Sequence, residues 1–241
     1  MVKVGNGNSA LRCRDERRSP LPQLRRTPLS TWAPLVGLVA LCGSLRYTEL
    51  HRLDAAIREV RIDSEAGDVV VETGQGLEVG RAIRGLTAAL TLSERVEGDT
   101  LYLEARCLPL LPCGADLALR VPEGVSVRAW VGEGDVRVSG LDHLELDLGA
   151  GSADLSVLSR LVARVGQGDL RATVPATAEL RVAVADGDAT VETPVGARPL
   201  RLSAAHEEIH GVADGVGGGA LDVAAPAGVA RVLGVDPLAD R

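Results

Sequence analysis

The stretch SAAHEEIHGV, residues 203 to 212, carries His206, Glu207 and His210 in the order that zinc hydrolases use. That chemistry needs two imidazoles one helical turn apart on a metal, a glutamate beside them as base for the bound water, and a third protein ligand. The flanks leave no room for the helix: PLRLS before the motif reads as a strand, and GVADGVGGG after it stops a helix within about one turn. As a strand, His206, Glu208 and His210 share one face and Glu207 points away, which separates the base from the ligands. His51 and His143 are the other histidines, and neither follows at the usual downstream spacing. The expectation is a solvated edge, with no catalytic residue and no metal. A zinc-dependent hydrolase using His206 and His210 is the rival reading.

Other chemistry is scarcer. GVGGGA lacks the lysine of a phosphate-binding loop, and GAGSADL lacks the strand-to-helix setting of a nucleophile elbow. No cofactor is implied. Trp130 and Tyr102 fall on outward positions, where they can serve a sugar or protein contact, although isolated exposed aromatics need no explanation.

The elements that position these residues are written in a repeat. SEAGDVVVET, VGEGDVRVSG, VGQGDLRATV and VADGDATVET each put Gly-Asp between two apolar alternations, and LGAGSADLSV has Ser152 in place of the aspartate. The repeat turns are Gly67 with Asp68, Gly134 with Asp135, Gly168 with Asp169, and Gly187 with Asp188. From Asp135 through Ser152 and Asp169 to Asp188 the steps are 17, 17 and 19 residues. Alternation sends Val125, Val127, Ala129 and Val131 inward, with Leu144, Leu146 and Leu148, and with Leu180, Val182 and Val184. One such unit cannot bury its own apolar face. The predicted fold is therefore all-β, a single-stack β-solenoid of 17–19-residue rungs over residues 59–235, with a sandwich of hairpins as the alternative. Glycine admits the turn and aspartate caps neighbouring N–H groups; a calcium ladder is the sharper alternative, but calcium-binding repeats have a much shorter period.

Phe is absent and Trp and Tyr total four, so a core must be built from Val, Leu, Ala and Ile. The net charge of -7 divides unevenly: residues 1–30 hold seven basic and two acidic side chains, leaving an acidic remainder that argues against a nucleic-acid partner. Arg12, Arg14, Arg17 and Arg18 lie in this basic arm, read as disordered and cytoplasmic. An apolar segment from Ala33 to Leu45 follows, closed by Arg46. Thirteen helical residues span about 20 Å against the roughly 30 Å hydrocarbon core, a length that Ser30 to Trp32 extend. Residues 31–46 are expected as an apolar helix anchoring the chain in the membrane, with the body extracytoplasmic because the arginines precede it. A cleaved signal and a short buried helix are the alternatives. Residues 47–58 read as a linker and 236–241 as a tail.

Cys107 and Cys113 bracket CLPLLPC, a loop with two prolines that a disulfide can close, which fits an oxidising compartment. Zinc is the rival there, but it needs four ligands and no second Cys or His pair lies nearby.

The apolar N-terminal segment, the opening REVRIDSEAGDVVVETG, the Cys-loop-Cys followed by ADLALRVPEGVSV, and the recurring GDVRV-type rungs resemble the bacterial family called "putative adhesin". The resemblance covers roughly residues 55–235 and departs at 203–219, where a Gly-Asp rung is replaced. It implies a β-solenoid at the cell envelope with no catalytic residues. The resulting expectation is a non-enzymatic binding or structural display module facing a protein or cell-surface partner. An envelope regulator with a cytoplasmic partner for the basic arm is the alternative.

Overall fold

The computed structural model describes residues 47–235 apart from positions 86, 110 and 216. The basic arm, the apolar segment 31–46 and the tail 236–241 lie outside the described residues. Within them the strands in chain order are β1 Tyr47–Leu53, β2 Glu59–Ala66, β3 Val69–Thr73, β4 Leu77–Gly85, β5 Leu90–Glu97 and β6 Thr100–Cys107. Then come β7 Cys113–Val121, β8 Ser126–Glu133, β9 Val136–Ala150, β10 Ala153–Gln167, β11 Leu170–Thr173 and β12 Glu179–Asp186. The last are β13 Ala189–Pro194, β14 Gly196–Arg198, β15 Leu200–His210, β16 Val212–Asp214 and β17 Leu221–Val235. One 3-10 turn, Thr87–Ala89, is the sole helical element among the described residues, and no helix there is long and apolar enough to cross a membrane.

Period-2 alternation produces these strands, and Gly-Asp steps bend the chain between them. Neighbouring strands pair in two stacks. The first runs β5, β6, β2, β8, β9, β10, β12, β17, β15, and the second β1, β4, β7, β3, β9, β10, β11, β13, β17, β15. The long strands belong to both stacks: Ala153–Ser156 of β10 pairs β11, whereas Arg160–Gln167 pairs β12. All pairings from β6 and β7 onward are parallel, and antiparallel pairs of β1 with β4, β4 with β7, and β5 with β6 close one end.

The all-β expectation holds, and the inward residues are those that the alternation assigns. Val127, Leu146, Leu180 and Val184 are all buried, and each such side chain stabilises the fold by about 1.5–3 kcal/mol relative to an exposed one. The 17–19-residue spacing is kept in the strand register over part of the chain. Val136 faces Ala153, Ala153 faces Leu170, and Leu170 faces Ala189, which are the 17, 17 and 19-residue steps. Elsewhere chain order and spatial order diverge. The β2–β3 layer lies between β6–β7 and β8–β9, with Val69 against Val136. Similarly, β17 lies between β12–β13 and β15. Through the long strands, the pairings β10, β11, β13, β17 and β12 return to β10, a closed ring of five parallel strands with further strands added. Residues 47–53, expected as linker, form β1 because Tyr47 to Leu53 pair with Ile83 to Leu77.

A buried arginine ties the end of the replaced segment, at Gly219, to the neighbouring stretch of chain at Ala178. Arg198, 2% exposed, donates to the carbonyls of Gly219 at 2.8 Å and Ala178 at 2.5 Å and to the Thr193 hydroxyl at 2.6 Å. It has no carboxylate partner among the described residues, and burial lowers its pKa from the usual arginine value.

Candidate functional site

The HEEIH stretch lies on β15, the terminal strand, which pairs with β17 in the sheet. His206, Glu208 and His210 stand in register with Val229, Arg231 and Leu233, and Glu207 with the buried Ala230 on the opposite face. At about 3.3 Å per residue, histidines four apart on a strand are roughly 13 Å from each other, beyond the reach of one metal ion. His206 Nδ1 lies 2.7 Å from the Ala205 carbonyl, and Glu208 accepts from Arg231 at 2.8 Å. No group of three His, Cys, Asp or Glu side chains among the described residues could hold a metal. Charged groups on a terminal strand, including one on its inner face, discourage pairing with another chain. His206→Ala and His210→Ala are each expected to shift stability by no more than about 0.5 kcal/mol, with the same melting temperature in chelator; stoichiometric zinc lost on either substitution would reverse this assignment.

The repeat turns form a ladder of aspartates. The N–H of Asp68 donates to Asp116 Oδ1 at 3.0 Å, that of Asp135 to Asp68 at 3.1 Å, and that of Ser152 to Asp135 at 3.0 Å. Further along, the N–H of Asp188 donates to Asp169 and that of Val229 to Asp188, both at 3.0 Å. Each of these carboxylates accepts an N–H from the next layer. The donated N–H of Asp135 holds the Asp68 carboxyl below the ordinary aspartate value; partial burial opposes it, and Arg84 at 2.5 Å assists. Arg84 also reaches Asp116 at 2.6 Å, so these two carboxylates are already neutralised by protein.

The outward face of the first stack is different. Tyr102 lies under two guanidinium groups, Arg95 at 4.6 Å and Arg61 at 5.5 Å from the ring centroid, and Arg106 stands 5.8 Å from the Trp130 ring. Arg106 also binds Asp63, whose pKa burial raises while Arg106 opposes the rise. Trp130 itself is 43% exposed. From this cluster a trough crosses the strands. A depression containing Tyr102 and Trp130 shares Arg128 and Glu145 with a second one, which shares Arg160, Val162 and Arg181 with a third that reaches Arg201. With strands about 4.8 Å apart, the nine strands from β5 to β15 make it roughly 38 Å long. The alternation places Trp130 and Tyr102 outward but does not bring the arginines to them, because that juxtaposition depends on which strands are neighbours.

Cys107 and Cys113 are joined in a disulfide that closes the loop between β6 and β7. The Cys107 N–H donates to Glu65 at 2.6 Å, tying that loop to β2. Neither thiol is expected to alkylate in the native protein until reductant is added; labelling without reductant would refute the bridge.

No family model and no curated protein sequence matches this chain. Solved structures do. A "putative cell adhesion protein" from Clostridium sporogenes matches at a TM-score of 0.45 and 9% identity, over 79% of this chain and 100% of its own. A "putative adhesin" from Bacteroides fragilis matches at 0.36 and 15% identity, over 79% and 97%. A "putative lipid binding protein" from Parabacteroides distasonis matches at 0.38 and 11% identity, over 78% and 96%. Two of these three are named for adhesion and the third for lipid binding.

Proposed function

We propose that this chain is a non-catalytic binding module of the bacterial envelope, a β-solenoid in architecture, displayed outside the cytoplasmic membrane and held there by residues 31–46. The observation that carries the reading is the trough on the first stack. It is a long, rigid surface combining an exposed tryptophan with arginines that the chain itself leaves unpaired. Layers hydrogen-bonded from strand to strand resist deformation, which suits presentation of side chains in fixed rows. The disulfide supports an oxidising compartment, and the arginine-rich arm before the apolar segment supports an outside body. At these TM-scores the names of similar structures carry no weight.

Protease added to intact protoplasts tests placement. Removal of the strand-forming body with retention of the N-terminal arm is the expected result, and full protection of the body would overturn it. Pull-down from intact cells with the full chain then tests binding. Deleting residues 1–28 separates the envelope regulator from this reading: lost function with normal display would favour the regulator.

A further inference from the structure

We infer that the trough binds an extended, carboxylate-bearing polysaccharide, an inference that rests on the binding-module reading and assigns its ligand class. Six described arginines have no carboxylate within 4 Å, and four of them, Arg160, Arg164, Arg181 and Arg201, stand on this trough. The other two are the buried Arg198 and Arg137 on the second stack. In a chain of net charge -7 that pairs its remaining described arginines, unpaired guanidinium groups concentrated on one surface mark where an external anion would bind.

The lining decides which anion. Glu179 and Asp222 sit among Arg160, Arg181 and Arg201, and Asp147 sits beside Arg164; none of the three carboxylates makes an ion pair among the described residues. A surface that alternates donors and acceptors in this way fits a chain that alternates carboxylates and hydroxyls. Sugar carboxylates meet the guanidinium forks, and sugar hydroxyls donate to Glu179, Asp222 and Asp147. A nucleic acid fits less well: duplex DNA carries a charge about every 1.7 Å, and its phosphates would be repelled at each acidic position. Trp130, exposed on β8, offers an apolar face for the C–H side of a sugar ring.

Titration calorimetry of the full chain with an oligogalacturonate long enough to span the trough tests this. Binding that weakens as salt rises is expected, with no heat from a neutral dextran of equal length. Arg160→Glu and Arg181→Glu should each lower affinity about tenfold to a hundredfold, while Arg137→Glu leaves it unchanged. All three positions are exposed, so melting curves should match that of the wild type. Equal binding of a single-stranded oligonucleotide, or equal loss in Arg137→Glu, would overturn the assignment. So would absence of oligogalacturonate binding by a chain that still captures its envelope partner, and that outcome leaves the binding-module reading standing.

Discussion

Gly151→Ala is expected to destabilise the protein by about 3 kcal/mol or more, whereas Gly124→Ala should cost roughly 1 kcal/mol. Both glycines have positive φ, 133° at Gly151 and 79° at Gly124, so both substitutions carry a backbone penalty. The surroundings differ. A Cβ at Gly124 meets nothing within 4 Å, but at Gly151 it would lie 2.0 Å from the carbonyl oxygen of Gly134 in the next layer. That oxygen is backbone in a bonded stack and cannot swing aside. Gly168 stands in the same relation to Gly151, and Gly187 to Gly168, at 2.0 and 2.1 Å. Glycines therefore form a column through which adjoining turns approach closely, and a single added methyl must push adjacent layers away from each other. Denaturant unfolding of both variants measures the difference; equal losses would mean that φ alone sets the requirement and that the turns do not touch.

This column explains how much of the fold could be read from sequence. Faces were legible, since period 2 assigns Val182 inward and Trp130 outward without reference to any other strand. Turns were legible too, because Gly-Asp serves the local bend. Neighbours were not. Every layer carries the same apolar alternation and the same glycine, so a layer accepts any other as partner, and sequence adjacency is no guide at the ends. Val69 pairs with Val136, and Leu221 with Leu180, across long intervening stretches. The trough shares this difficulty: Arg181 and Arg201 both face Asp222 because β17 enters between β12 and β15. Arg198 was hidden for another reason. Nothing in GARPL distinguishes a buried guanidinium from a solvated one, and its partners are backbone carbonyls, which carry no sequence signature.

Val182→Asp is expected to remove about 4 kcal/mol or more, a large share of the roughly 5–15 kcal/mol that holds a domain folded. Val182 is 3% exposed, flanked in register by the inward Ala163 on β10 and Val223 on β17. No cation faces this position from either strand, so the introduced carboxyl must stay charged without a partner or take up a proton. Burial favours the proton and raises its pKa in the folded state above the unfolded value. The native state then holds more protons than the unfolded chain across the window between those two values, so stability falls as pH rises through it. The deficit should accordingly be largest near neutrality and shrink in acid. Ala183→Asp, one residue away on the exposed face and in register with Arg164, places the same carboxyl in water and should shift stability by no more than about 0.5 kcal/mol. Denaturant curves of the two variants at neutral and acidic pH separate the cases, and similar, pH-independent losses would place Val182 at the surface and undo the inward assignment of β12.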